Sequence, residues 1–268
     1  MLRVKLSVVY AVLLTGSAML MTGCSTAPLD KTVGLSPAAL YSEAQDEMTA
    51  GRWDKAIPLL EKLEARAAGT PLAQQAQVDK AYAHYKSSEP ALAAATIDRF
   101  MRLHPASPAM DYALYLKGMT NFNENLGIFG NYTGQDLAER DQKAAKESFE
   151  AFKELSTRFP NSRYTPDALQ RMGFIVQSLA KYEVYVAKYY FRRGAYVAAI
   201  NRAQTAVTDY RDVPAVEEAL FIIYKAYDAL GMERLRDDAR RVLELTYPAS
   251  KFLAVNTQPD DQGWFKFY

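Results

Sequence analysis

The feature that most constrains this chain is a helix start marked by proline, which recurs five times. Each proline follows Ser, Thr or Val and precedes an apolar-periodic segment, a turn and a second such segment. A Ser or Thr at the N-cap accepts a hydrogen bond from an otherwise unpaired N–H. Proline at the first helical position costs no helical hydrogen bond, because an N–H there would have no partner within the helix. The sequence therefore predicts five helix pairs, which begin at Ser36-Pro37, Thr70-Pro71, Ser107-Pro108, Thr165-Pro166 and Val213-Pro214.

The second helix of each pair has recurring patterns of its own. Residues 51–57 and 194–200 share the order Gly-x-aromatic-x-x-Ala-Ile, in which glycine turns the chain and the small alanine lets two helices approach. Residues 103–107, 158–162 and 246–250 each contain a ring-bearing residue followed by Pro-x-Ser. A helix-pair repeat of about this length is typical of tetratricopeptide arrays, which present a surface to partners. The predicted fold class is all-α, a solenoid of five tetratricopeptide-like helix pairs.

Two repeats depart from the ordinary length. Repeat three is about 18 residues longer than repeat two, and its glycine-rich centre predicts an inserted loop at about 123–140, because glycine continues a helix poorly. Repeat four is about 11 residues longer, and Gly173 is the only helix breaker in its first segment, so that helix is predicted to run on for roughly 40 Å. It would divide the array into a front half with repeats one to three, residues 36–160, and a back half with repeats four and five, residues 161–250.

The N-terminal residues predict an export signal and a lipid anchor. Residues 1–23 combine two basic residues with an apolar run and no acidic residue, which is typical of a secretory signal. Cys24, the only cysteine, follows directly, and the junction resembles the lipobox of bacterial lipoproteins, where the thiol takes up diacylglycerol before cleavage. The alternative is a buried small apolar side chain. The lipobox favours a lipidated tether at 24–35, and Ser25 instead of Asp favours sorting to the outer membrane.

The composition and the absence of certain motifs exclude several classes of function. Lys and Arg number 32 against 31 Asp and Glu, so the chain has no broad basic field for nucleic acid. His104 lies where an aromatic residue ends other repeats, which indicates packing instead of catalysis. The sequence contains no pattern for a metal site, a phosphate-binding loop or a catalytic nucleophile. It therefore predicts a binding protein with no catalytic residue, no metal and no cofactor.

Further segments are specific enough for comparison with known families, namely residues 81–86, 97–105, 159–162, 179–187, 189–190 and 193–198. Together with the repeats and the lipobox, they resemble the BamD family, the outer-membrane lipoproteins of the β-barrel assembly machinery. The resemblance covers essentially all of the chain after the signal. It implies a periplasm-facing protein that binds the barrel-forming BamA subunit and a smaller lipoprotein of the same complex. It also implies that the front half recognises the C-terminal signal of unfolded outer-membrane proteins.

Tetratricopeptide arrays line a concave groove with the first helices of successive repeats, and an extended peptide can bind there. Tyrosine offers such a peptide both an apolar ring and a hydroxyl group. The alternative for each ring is packing between helices, because tyrosines on both sides of one helix cannot all face the groove. The candidates for substrate binding in the front half are Tyr41, Gln75, Asp79, Tyr82, Tyr115 and Asn121.

Basic residues gather near the Gly194 turn of the back half. Arg192, Arg193 and Arg202 are the candidates for docking to an acidic partner surface. The alternative is a solvated basic face. The resemblance implies that this region contacts the periplasmic part of BamA.

Aromatic residues form two further groups. Tyr182, Tyr185 and Tyr189 have helical spacing on the long helix, which predicts core positions. The tail, residues 251–268, has four aromatic residues among its last five and resembles the end of an outer-membrane barrel strand. The plainer interpretation is a cap that covers the last helix pair.

Two functions stay open from the sequence alone. One is a subunit that binds unfolded outer-membrane proteins and promotes their folding and insertion as barrels. The alternative is a generic tetratricopeptide lipoprotein scaffold for peptidoglycan or lipid trafficking complexes in the periplasm. An enzyme is disfavoured because the sequence lacks a catalytic set.

Overall fold

The computed structural model describes residues 32–122 and 137–254 of the 268-residue chain. The predicted signal, Cys24, most of the tether, residues 123–136 of the predicted loop and the tail from residue 255 lie outside the described residues. Within the two described ranges the regular structure is helical throughout, without a strand.

The described helices follow the predicted pairs. Ten of them have twelve residues or more, and a short one follows. The order confirms the all-α array of five helix pairs. The helices are α1 (Pro37–Thr49), α2 (Trp53–Arg66), α3 (Pro71–Lys86), α4 (Pro90–Leu103), α5 (Met110–Asn121), α6 (Leu137–Arg158), α7 (Thr165–Arg192), α8 (Tyr196–Asp209), α9 (Ala215–Ala229), α10 (Glu233–Thr246) and α11 (Lys251–Ala254).

The packing between helices is that of a solenoid. Each of the first nine long helices packs against the next one along the chain. First helices also pack against first helices of neighbouring repeats, because α1 contacts α3, α3 contacts α5 and α7 contacts α9. The first helices therefore line one face of the array, where the sequence predicts the groove.

Two of the five helix starts have the predicted cap. Ser36 Oγ accepts a hydrogen bond from the backbone N–H of Ala39 at 3.2 Å. Thr70 Oγ1 accepts one from the backbone N–H of Ala73, also at 3.2 Å. Each of these helices has proline in its first turn, so the local sequence alone fixes where α1 and α3 begin.

The other three starts differ from the prediction. α5 begins two residues after Pro108, and α9 begins one residue after Pro214. α7 begins at Thr165 itself, whose hydroxyl donates to the carbonyl of Phe159 at 2.7 Å instead of capping an N–H group. Pro108 and Pro214 thus lie in the turns between repeats, outside the helices they precede.

Small side chains recur where second helices approach their neighbours. Ala56, Ala93, Ser148 and Ala199 occupy the same position in successive repeats, and all four are fully buried. Arg236 takes this position in α10 and is partly exposed. The fifth repeat therefore ends the array with a helix that is covered mainly on one side.

α7 is the long helix predicted for repeat four. Its 28 residues span about 42 Å at 1.5 Å per residue. The largest apolar core runs from repeat three to repeat five, so packing is continuous across the boundary between residues 160 and 161. The front and back halves are therefore stretches of the chain and not separate cores. α6 already begins at Leu137, so residues 137–140 are helical and the predicted loop ends earlier than expected.

Candidate functional site

The front half carries an open groove of about 540 Å³. Residues of α1 and α3, the start of α5 and the turn before α7 line it. Its lining combines aromatic rings with charged and amide groups. We call it the front groove, and its lining residues are Gln45, Met48, Gln75, Val78, Asp79, Tyr82, Ala109, Asp111, Tyr112, Arg163 and Tyr164.

Asp79 is the buried polar centre of the front groove. Its carboxylate accepts hydrogen bonds from the Tyr41 hydroxyl at 3.1 Å, the Gln45 amide at 3.0 Å and the Gln75 amide at 2.9 Å. Burial raises the pKa of Asp79 above its ordinary value, and the three hydrogen bonds offset this only in part. Burial and the adjacent Asp79 raise the pKa of Tyr41 to about 12, so this hydroxyl stays a donor at neutral pH.

Tyrosine rings form a second part of the groove wall. Tyr164, in the turn before α7, stacks on Tyr115 with ring centroids 4.9 Å apart and lies 5.3 Å from the ring of Tyr112. Tyr82 of α3 contacts Trp53 edge to face, with centroids 5.7 Å apart. Burial raises the pKa of the Tyr112 hydroxyl, which therefore also stays neutral. Rings from α3, α5 and the turn before α7 thus face one cavity.

Arg163 is the only cation among the described residues that line the front groove. Its guanidinium lies 4.7 Å from the centroid of the Tyr164 ring and donates a hydrogen bond to the Tyr164 hydroxyl. Its side chain is exposed. Asp111, an acidic lining residue that interacts with it electrostatically, accepts a hydrogen bond from the Ser162 hydroxyl at 2.7 Å.

The structure brings four of the six predicted groove residues together. Gln75, Asp79 and Tyr82 line the cavity, and Tyr41 reaches it through its hydrogen bond to Asp79. Sequence reasoning missed several lining residues, of which Arg163 and Tyr164 lie in the turn before α7 and the others on α1 and α5. The recurring Pro-x-Ser order, here at residues 160–162, marks that turn and was the available signal for these two residues. The missed residues that carry polar or aromatic groups are Gln45, Asp111, Tyr112, Arg163 and Tyr164.

The other two predicted residues do not line the cavity. Tyr115 lies behind Tyr164, and its hydroxyl donates to Asp167 at 2.8 Å. The Asn121 amide donates to Glu147 of α6 at 3.2 Å. For both residues the structure favours packing between helices over contact with a peptide in the front groove.

The three arginines predicted for partner docking have different surroundings. Arg202 of α8 lies 3.3 Å from the carboxylate of Glu183 on α7, and the two side chains are 46% and 6% exposed. Arg193, just after α7, is exposed, and its guanidinium lies 5.4 Å from the centroid of the Tyr189 ring. Arg192 ends α7 and is also exposed. Arg202 therefore has an intramolecular role whether or not a partner binds it.

Two tyrosines predicted to be in the core of α7 lie at the surface. Tyr185 and Tyr189 are 39% and 43% exposed, whereas Tyr182 is half-buried. Tyr185 and Tyr189 are one helical turn apart and so share a face that leads to Arg193. We call Tyr185, Tyr189, Arg192 and Arg193 the back surface. Exposed tyrosine and arginine together are typical of protein interfaces.

The described residues show no arrangement for metal chemistry. Residues 32–122 and 137–254 contain no group of three or more His, Cys, Asp or Glu side chains that could hold a metal ion. The ring of His104 lies 5.3 Å from that of Phe100, and its Nε2 lies 3.1 Å from Gln77 Oε1, which fits the predicted packing role. In the same part of the chain, every helix is too short or too polar to cross a membrane.

Comparison with known proteins places the chain among outer-membrane lipoproteins. A family model described as "YfiO: Outer membrane lipoprotein" matches residues 34–243. The outer membrane protein assembly factor BamD of Neisseria meningitidis serogroup A is 45% identical over 263 residues, which cover 96% of this chain and 98% of that protein. The proteins of the same name from Neisseria gonorrhoeae and Vibrio cholerae are 46% and 38% identical. The matched residues cover 85% of this chain and 86% of the Neisseria gonorrhoeae protein. For the Vibrio cholerae protein they cover 84% of this chain and 93% of that protein. These matches confirm the resemblance that the sequence segments indicate.

Proposed function

We propose, from the premise that this chain belongs to the YfiO family of outer membrane lipoproteins, that it acts in the assembly of outer-membrane β-barrel proteins. The shared name of its relatives, outer membrane protein assembly factor, supports this role. The chain acts by binding and not by catalysis. It holds unfolded barrel proteins in the front groove and docks a barrel-forming subunit on its back half, which promotes folding and insertion. A lipid anchor at Cys24 keeps it on the periplasmic face of the outer membrane.

The observation that carries this proposal is the chemistry of the front groove. An unfolded barrel strand offers alternating apolar side chains and unpaired backbone groups. Tyr82, Tyr112 and Tyr164 offer ring faces to the side chains. Asp79 and its amide neighbours offer acceptors and donors to the backbone. A cavity of about 540 Å³ is large enough for several side chains of a C-terminal segment.

The back surface is the proposed contact with the barrel-forming, BamA-like subunit. Arginines favour an acidic partner surface, and the exposed rings of Tyr185 and Tyr189 supply apolar area at little entropic cost. Smaller lipoproteins of the same complex are further proposed partners, whereas nucleic acid is not.

Two measurements test the proposal. Detergent-solubilised envelope pulled down through this chain should yield a barrel-forming protein, whereas a scaffold for peptidoglycan or lipid trafficking would yield none. Peptides copied from barrel C-termini should crosslink to photoreactive residues at positions 82 and 112 of the front groove but not at position 182 on α7. Failure of both measurements would overturn the assembly role.

We expect Arg193→Glu to weaken binding of the barrel-forming subunit while it lowers the free energy of unfolding by less than about 1 kcal/mol, through loss of the contact with Tyr189 and of a cation at the end of α7. Arg193 is exposed, so the substitution buries no charge in the free protein. A reversed charge at the interface replaces attraction by repulsion, which can cost several kcal/mol. Calorimetry with the purified periplasmic part of the partner measures binding, and thermal unfolding measures stability. Unchanged affinity would show that the back surface is not part of the interface with the barrel-forming subunit.

Arg202→Glu is the matched comparison, because its charge reversal affects the fold as well. It places a second carboxylate beside the nearly buried Glu183, so the free energy of unfolding should fall by about 1–3 kcal/mol, less than for a fully buried pair. A double variant with glutamine at positions 183 and 202 removes both charges and should recover most of the loss. If Arg202→Glu were as stable as Arg193→Glu, the pair would contribute nothing to the fold.

A further inference from the structure

We infer that Arg163 binds the terminal carboxylate of the peptide in the front groove and thereby selects chain ends over internal segments. This inference rests on the proposed function, since it concerns the same groove. It assigns a polarity to the bound peptide and names the residue that reads its end.

The position of Arg163 fits this role. It lines the groove at the turn before α7, and its exposed side chain lies across the ring of Tyr164. The ring and hydroxyl of Tyr164 hold the guanidinium in place. The fork of an arginine matches the two oxygens of a carboxylate, and a pre-positioned guanidinium loses little entropy when it forms both hydrogen bonds.

Arg163, the only cation among the described lining residues, is the place in the front groove that attracts a carboxylate. Asp79 and Asp111 are the described acidic residues of the lining. A bound carboxylate beside Asp79 would meet a like charge, whereas backbone N–H groups would be attracted there. Asp111 interacts electrostatically with Arg163, so a carboxylate at Arg163 binds on the side of the guanidinium that faces away from Asp111. A peptide end therefore fits at Arg163, and the preceding residues run toward Asp79 on α3.

The rings beside Arg163 suit an aromatic last residue. Tyr112 and Tyr164 lie 5.3 Å apart and both line the groove. An aromatic side chain on the terminal residue would pack against them while its carboxylate reaches the guanidinium. Aromatic side chains prefer such offset or edge-on neighbours. The site can therefore bind the aromatic ring and the carboxylate of the same terminal residue.

The test compares free and blocked peptide ends on the full-length chain in detergent. The probe is a fluorescein-labelled ten-residue peptide of alternating apolar and polar residues that ends in Phe, made with a free carboxylate or as the amide. We expect the free acid to bind about tenfold more tightly by fluorescence anisotropy. Arg163→Gln should reduce the affinity for the acid to that for the amide and leave the amide unaffected.

Arg158→Gln is the matched control. Arg158 also lies over an aromatic ring, that of Phe159 at 5.3 Å, but it pairs with Glu154 and does not line the groove. The Arg158→Gln variant should bind both peptides with the affinities of the unmodified chain. Equal binding of acid and amide by the unmodified chain, or an unchanged preference in Arg163→Gln, would overturn the inference and leave the proposed function standing. Binding of neither peptide would instead overturn the peptide-binding role of the groove, and this inference with it.

Discussion

Cys24→Ala is expected to release the protein from the outer membrane almost completely. The Cys24 thiol is the proposed attachment point of diacylglycerol through a thioether, and alanine has no atom that can replace it. In the proposed order, cleavage before residue 24 follows lipid attachment, so the variant should stay a soluble unacylated precursor or be held by its uncleaved signal. Two or more acyl chains anchor a protein stably, whereas one chain binds a membrane only reversibly, so the expected change is large.

Labelled palmitate incorporation and flotation of membrane fractions measure this change. Ser25→Asp is the matched control, because it keeps the thiol and alters only the residue that favours sorting. That variant should still take up label but shift toward the inner membrane. A Cys24→Ala protein that takes up label and floats with the outer membrane would show that the lipid anchor is not at this residue.

The fold could be predicted from the sequence wherever a short stretch of chain decides the structure. Ser36 and Thr70 cap their helices as expected because an N-cap needs only the next three residues. The length of α7 followed from the spacing of helix breakers. The starts of α5 and α9 were misplaced because proline is as acceptable in a turn as in a first helical turn, and packing decides between them.

The front groove could be predicted in part, namely where its residues lie on regular helices of the repeats. Tyr41, Gln75 and Asp79 lie on first helices, which a tetratricopeptide array places along one face, and the structure joins them by hydrogen bonds. Arg163 and Tyr164 were missed because they lie in a turn whose path depends on how α6 packs against α7. No local sequence pattern predicts the path of this turn.

Long-range pairing was equally hidden from the sequence. Arg202 was interpreted as a docking residue, and its contact with Glu183 depends on the packing of α8 against α7. Tyr185 and Tyr189 were assigned to the core from helical spacing alone. Spacing identifies a face of a helix but does not state whether a neighbour covers it.

The second large effect is expected at Gly118 in α5. A Cβ atom at this position would lie 2.3 Å from Cε1 and 2.5 Å from Cδ1 of Phe152 in α6. The Phe152 ring is fully buried, and the rings of Tyr115 and Phe122 lie 6.0 Å and 6.3 Å from it. The ring must shift against these neighbours to admit a methyl group, so Gly118→Ala should lower the free energy of unfolding by about 1–3 kcal/mol.

Gly173→Ala in α7 is the matched control, since it makes the same substitution inside a helix. Gly173 is exposed, and a Cβ atom there meets nothing within 4 Å. Alanine removes the entropic disadvantage of glycine in a helix, so the free energy of unfolding should rise by about 0.5–1 kcal/mol. Urea unfolding followed by circular dichroism measures both variants. Equal effects at the two positions would contradict the close approach of α5 and α6.

The strain at Gly118 should also reach the front groove. Tyr115 contacts the Phe152 ring on one side and stacks on Tyr164 of the groove wall on the other. A displaced Phe152 would therefore move the ring that supports Tyr164, and peptide affinity should fall together with stability. Phe152→Leu gives the added methyl group room, so the double variant should be more stable than the sum of the two single changes predicts. Simple additivity would mean that the glycine and the ring do not constrain each other, and the link from the α5–α6 contact to the groove would then be lost.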